Sequence, residues 1–149
     1  MKRLFSIALL VCVACGPAFK AATPKGFAEL DDERYDYRAT SADGLVLAVR
    51  QIDHDPQADQ AFWLAAVKNR LRDQGYALLE EQPVTSEGGV QGTLLRFGHD
   101  EQGGPHLYLV ALYVTEDHLF LFEAGGTEEQ VKRYGQQIDW ARRNLRIDP

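Results

Sequence analysis

The apolar positions of this chain change their period along its length. Residues 4–14, Leu-Phe-Ser-Ile-Ala-Leu-Leu-Val-Cys-Val-Ala, form one largely apolar run behind Lys2 and Arg3. Further on, Tyr35 and Tyr37 alternate with Arg34, Asp36 and Arg38, which predicts a half-buried strand. Ser41-Ala-Asp-Gly44 reads as a turn, and residues 45–49 with Ile52 as the returning strand. Asp55-Pro56 then predicts a helix start, with Asp as the N-cap and Pro at the first helical position. Trp63, Leu64, Val67 and Leu71 recur at helical spacing, and Gly75 ends that helix. Four strands are predicted at about 76–84, 90–97, 107–115 and 118–123, separated by Ser86-Glu-Gly-Gly89, by a loop over 99–105 and by Glu116-Asp117. Both alternating faces are apolar in Leu107-Tyr-Leu-Val-Ala-Leu-Tyr-Val114 and in Leu119-Phe-Leu-Phe122, so these strands must be covered on both sides and lie centrally. Thr127-Glu-Glu-Gln130 is a capping box, and Val131, Tyr134, Ile138, Ala141 and Leu145 give the last helix its buried stripe. The order is β-β-α-β-β-β-β-α, an α+β fold in which helices pack on an antiparallel sheet.

The apolar run ends in Cys12-Val-Ala-Cys15, then Gly16-Pro17. A basic start, a short apolar stretch and a small residue before cysteine resemble a bacterial lipoprotein signal. That resemblance implies cleavage between Ala14 and Cys15, a diacylglyceryl group on the Cys15 thiol, and an acylated amine carrying a chain such as palmitate. It departs from the usual pattern at Cys12, where an aliphatic residue is more common. Crossing a bilayer takes about 20 apolar residues, and this run is shorter. An ordinary secretory signal cut near Ala21-Ala22 is the rival reading. The chain thus divides into a signal over 1–14, a lipidated cysteine and tether over 15–26, and a domain over 27–149. Gly16 in place of Asp favours the outer membrane, facing the periplasm, if the source is Gram-negative.

Composition narrows the function classes. The whole chain carries a net charge of −6, and loss of Lys2 and Arg3 with the signal makes the remainder more acidic still. An acidic domain repels phosphate backbones, which disfavours nucleic acid as a partner. Both cysteines lie before residue 16, so the domain has no disulfide, thiol nucleophile or cysteine-based zinc site.

The domain also resembles the PsbP-like superfamily. The residues that carry the resemblance are Phe62-Trp63, Gly75-Tyr-Ala-Leu-Leu79, Gly92-Thr-Leu-Leu-Arg-Phe97, and Tyr108-Leu-Val-Ala-Leu-Tyr-Val114 with Leu119-Phe-Leu-Phe-Glu-Ala124. These are packing residues, so the resemblance implies a fold and, through members that bind other proteins, a non-enzymatic binding role.

Candidate chemistry is sparse. His99, Asp100, Glu101 and His106 are the one concentration of metal-type donors, suited to zinc or manganese, although their spacing matches no ligand motif. Asp53-His54-Asp55 pairs carboxylates with a histidine but lacks a nucleophile nearby. Glu80 and Glu81 point to opposite faces of a strand. Ser41, Thr85 and Ser86 sit in turns, and the paired glycines form no phosphate loop. Tyr35 and Tyr37 offer either a partner surface or an edge strand packed into the core. The reading is a membrane-anchored envelope lipoprotein that binds or stabilises another envelope protein, with neither cofactor nor catalytic residues. The alternatives are a metal-assisted hydrolase built on His99 and His106, and a small-ligand carrier with a cavity between helix and sheet.

Overall fold

The computed structural model describes residues 17–148. The fold is a seven-stranded antiparallel sheet with helices on both faces. In chain order the elements are β1 (Phe19–Lys20), β2 (Phe27–Glu29), β3 (Tyr37–Ser41), β4 (Val46–Asp53), α1 (Gln60–Asp73), β5 (Ala77–Thr85), β6 (Gln91–Glu101), β7 (Gly104–Val114), β8 (His118–Thr127), α2 (Glu128–Arg133), α3 (Gly135–Arg143) and β9 (Arg146–Ile147). The sheet runs β2-β3-β4-β8-β7-β6-β5. The doubly apolar strands β7 and β8 are therefore interior, as covering on both faces requires. The α+β class and the strand-helix order read from the sequence hold, with short strands added at both ends.

One sheet face carries Leu95, Phe97, Val110, Leu112, Leu119 and Leu121, with Leu71 of α1 above them. The other carries Leu47, Val49, Ala111, Tyr113, Phe120 and Phe122 under α2 and α3. The two faces are called the α1 face and the α3 face below. On the α3 face, Phe19 and Ile147 seal the core through the antiparallel pair β1–β9, so the stretch read as a tether contributes a strand.

Several boundaries differ from the sequence reading. Asp55-Pro56 does not open the helix; α1 starts after Asp59, whose carboxylate accepts from the Phe62 N–H at 2.8 Å. Residues 54–58 are instead drawn into a turn by His54, whose ring nitrogens lie 2.7 Å from the Thr115 carbonyl and 2.8 Å from that of Ala58. Tyr35 precedes β3 rather than lying in it. The loop predicted over 99–105 is mostly strand, because β6 and β7 pair out to Glu101 and Gly104 and leave only Gln102 and Gly103 to turn. Gly104 accepts this closure with φ of 106°.

The last helix is broken at Tyr134, which leaves helical geometry at φ −98° and ψ 15°. Gly135 follows, a residue with weak helix preference. The Tyr134 ring packs edge-on against Phe27 of β2 at 5.4 Å. The capping box forms as read: Thr127 Oγ1 accepts from Gln130 N at 3.1 Å, and Gln130 Oε1 accepts from Thr127 N at 2.9 Å. Thr127→Ala is expected to destabilise the protein by about 1 kcal/mol, measured as a lower urea midpoint at unchanged m-value.

Candidate functional site

Helix α1 covers the sheet incompletely. Its contacts with the sheet are chiefly to β5 and β7. Only Leu71 of the helix is fully buried, while Trp63, Leu64 and Val67 are partly covered. A hollow of about 350 Å³ remains beneath it, between Trp63, Val67 and Leu71 of the helix and Val110, Leu112 and Leu121 of the sheet. A second hollow of about 270 Å³ lies over β3 and β4, under Tyr35 and Arg38. Tyr108 and Glu123 line both, so the two hollows adjoin along the α1 face, and together they are called the trough.

A buried carboxylate stands at the junction. Glu123 is only 4% exposed, on the interior strand β8. Leaving such a charge unpaired away from water would be prohibitive. Its partner comes from the neighbouring strand: Arg50 Nε donates to Glu123 Oε2 at 2.8 Å, and Arg50 Nη2 donates to Oε1 at 2.5 Å. The Tyr108 hydroxyl of β7 also donates to Glu123 Oε1. Burial, then the Glu123 charge, push the Tyr108 phenol well above its ordinary range, so it stays a neutral donor. The hydrogen bonds that Arg50 donates to Glu123 hold its guanidinium above its own ordinary value. All three side chains point to one face because β4, β8 and β7 are adjacent and these positions share the pleat.

Arginines gather around Tyr35. The guanidinium carbons of Arg34, Arg38 and Arg50 lie 5.9, 5.4 and 5.8 Å from its ring centroid, within cation–π reach. Asp32 orders two of them, accepting from Arg34 Nη2 at 2.8 Å and Arg38 Nη1 at 2.5 Å. The Arg34 side chain first, then its backbone N–H, with a further contribution from Arg38, hold the Asp32 carboxyl well below the usual carboxylate range. A carboxyl lowered on folding stabilises the protein above the unfolded value of about 3.9 and loses that contribution as pH falls through the lowered value. Asp32→Asn is therefore expected to be less stable than the parent at pH 6, with the two denaturation midpoints converging as the pH falls below about 4.

The trough lining carries more cations than anions beside its apolar side chains. Arg38, Arg50 and Arg70 line it against one acid, Glu123, in a chain of net charge −6. None of the residues lining the two hollows is a Ser, Thr, Cys or His. Ile52 of its lining is 42% exposed, and beside the trough Phe62, 52% exposed, packs edge-on against the lining residue Trp63 at 5.2 Å. Trp, Tyr and Arg are the residue types that dominate binding energy at protein interfaces.

The residues singled out in the sequence mostly lie elsewhere. Ala14 and Cys15 fall outside the described residues. His99 and His106 are directly opposite one another on β6 and β7. His99 stacks on Tyr76 at 4.8 Å, with Nδ1 3.2 Å from the Gly75 carbonyl. His106 Nδ1 lies 3.0 Å from the Gly104 carbonyl, and its Nε2 is 3.7 Å from Glu101. Among the described residues, no group of three or more His, Cys, Asp or Glu side chains is placed to hold a metal ion. His54 is buried in the turn it organises, and Glu81 pairs with Lys68 at 2.5 Å. Ser41 and Ser86 serve their turns, accepting from Leu45 N and Val90 N. Tyr37 meets Thr23 through its hydroxyl at 2.9 Å. The Arg50–Glu123–Tyr108 cluster went unread in the sequence, although a lone Glu in the apolar run Leu119-Phe-Leu-Phe-Glu-Ala124 was a signal for a buried partner.

Comparison with known proteins bears on the fold. No protein-family model matches the chain, and no curated protein matches it in sequence. Several solved structures are similar, among them the following three. LpqN, involved in cell envelope biogenesis of Mycobacterium tuberculosis, has 13% identity and a TM-score of 0.74, over 88% of this chain and 83% of its own. A Pseudomonas aeruginosa protein of unknown function, PA94, has 13% identity and a TM-score of 0.61, over 83% of this chain and 82% of its own. The cyanobacterial PsbP of Synechocystis sp. PCC 6803 has 12% identity and a TM-score of 0.62, over 93% of this chain and 98% of its own. The fold is PsbP-like.

Proposed function

We propose that this chain is a lipid-anchored protein of the cell envelope that binds another envelope protein through the α1-face trough and catalyses no reaction. The observation that carries the reading is the trough itself: an apolar hollow, a saturated ion-pair cluster and a ring of arginines, with Ile52 exposed in its lining and Phe62 beside it. Glu123 accepts from Arg50 and from the Tyr108 hydroxyl, so it holds both side chains in place. The partner that fits is a protein segment bearing large apolar side chains beside acidic ones, seated where Arg38 and Arg70 meet the hollows. The similarity of the fold to an envelope-biogenesis protein supports the compartment. No helix of the described residues is long and apolar enough to cross a membrane; the proposed attachment is lipid on Cys15.

Arg70→Glu combined with Phe62→Ala tests the reading, because both residues are exposed and neither holds the fold. After cross-linking in intact cells and affinity capture, recovery of the specific envelope partner is expected to fall about tenfold or more, the scale of one or two interface hot spots. The melting temperature should stay within about 3 °C of the parent. Undiminished recovery of the same partner would remove the trough from the account.

A further inference from the structure

The opposite face holds a separate groove. It has a volume of about 550 Å³, between α2 and α3 on one side and β5 to β8 on the other, within the usual size range of small-ligand sites of about 300–1,000 Å³. It exists because the helix breaks at Tyr134 and Gly135 presents no side chain there; a Cβ added at Gly135 would meet nothing within 4 Å. Its floor is apolar, built from Leu94, Leu109, Phe122, Val131 and Ile138. Arg96, Lys132 and Arg142 also line it, against Glu128 and Asp139.

The cations are incompletely used by the fold. Arg142 is 8% exposed; its Nη2 donates to Asp139 at 2.9 Å, while its Nη1 is buried and makes no hydrogen bond. Burial would lower the Arg142 guanidinium, but its hydrogen bond to Asp139 and the nearby Tyr113 hydroxyl, which itself lies outside good hydrogen-bond geometry, hold it above its ordinary value, so it stays charged. Arg96 Nε is likewise buried without a hydrogen bond, and Arg96 pairs with no carboxylate among the described residues. Lys132 has no ion-pair partner among them either. Buried guanidinium nitrogens without an acceptor, Arg96 Nε and Arg142 Nη1, are costly in a fold and favour an anion when one is offered.

We infer that this groove binds a single-chain amphipathic anion, with the chain on the Leu94–Leu109–Phe122–Ile138 floor and a carboxylate or phosphate head held by Arg96, Lys132 and Arg142. The site is independent of the α1-face trough and would make the protein a carrier or sensor of such a ligand as well as a docking protein. Headgroups of either kind satisfy the same arginines, and the experiment separates them.

The test uses the full chain carrying Cys15→Ser, so that no detergent competes, titrated by calorimetry with dodecanoate, dodecyl phosphate and 1-dodecanol below their aggregation limits. The expected result is saturable binding of one or both anions, at least tenfold tighter than dodecanol. Whichever anion binds more tightly identifies the headgroup. Gly135→Leu, which fills the groove from a position with open space above it, should abolish binding at an unchanged or raised melting temperature. Arg96→Gln should weaken the anions about tenfold while leaving dodecanol unaffected. The inference is overturned if neither anion binds saturably, if dodecanol binds as tightly as both, or if binding survives Gly135→Leu. Should Gly135→Leu fail to fold, an Arg96→Gln protein that binds the anions as the parent does overturns it equally.

Discussion

Glu123→Ala is expected to lower the stability of the domain by about 3 kcal/mol, a fall in melting temperature of roughly 10 °C. The carboxylate is 4% exposed and takes three hydrogen bonds, two from Arg50 and one from Tyr108. Removing it leaves a guanidinium facing an apolar hollow and a buried hydroxyl without its acceptor. Breaking a buried pair from one side costs about 3–5 kcal/mol. The Arg50 side chain is 34% exposed and can turn toward water, which places the expected effect at the lower end. Glu123→Gln keeps an acceptor and loses the charge, so it should cost less. Replacing the cluster as a whole, with Arg50→Met, Tyr108→Phe and Glu123→Leu, should restore most of the loss, because no desolvated charge is left behind. Urea titration of the four proteins checks this order. A Glu123→Ala midpoint indistinguishable from the parent would show that the cluster is not desolvated.

Cys15→Ser, placed behind an ordinary secretory signal so that processing does not need the thiol, is expected to move nearly all of the protein from the membrane fraction to the soluble fraction of the envelope. Each buried CH₂ of an acyl chain contributes about 0.8 kcal/mol, so two or more chains make attachment effectively stable, while a serine supplies none. In the lipidated parent the domain would sit beside the bilayer, since Ala18, three residues past the anchor, is already fastened to the domain: its N–H donates to Gln51 Oε1 at 2.8 Å, and its carbonyl accepts from Asp148 N at 3.0 Å. Fractionation with intact-mass measurement of the detergent-extracted parent checks both halves. An unmodified parent whose mass begins at a residue other than Cys15 would contradict the anchor.

The fold was legible where the hydrophobic pattern was strong. The doubly apolar runs at 107–114 and 119–122 placed β7 and β8 in the interior of the sheet, and Thr127 with Gln130 marked the start of α2. Local rules misled where a side chain recruited the backbone from a distance. Asp55-Pro56 has the residues of a helix start, yet His54 bridges to Thr115 and Ala58, and the cap passes to Asp59. Gly103-Gly104-Pro105 looked like a loop, but cross-strand pairing carried β6 and β7 through it. The candidate site was hardly legible at all. Its members lie far apart in sequence, at Tyr35, Arg50, Tyr108 and Glu123, and only the antiparallel adjacency of β4, β8 and β7 joins them. The histidines that did stand out lie on the β6–β7 hairpin and in the turn before α1, apart from the trough lining.

The most direct test of partner binding through the trough is a site-specific photo-cross-linker installed in place of Phe62, and separately in place of Trp140, in intact cells. Phe62 lies beside the trough, and Trp140, 45% exposed, lies on α3 on the other side of the sheet. A discrete adduct with an envelope protein from position 62, absent from position 140, is the predicted result. An adduct from position 140 alone, or none from either position, would contradict the assignment of the trough as the docking surface.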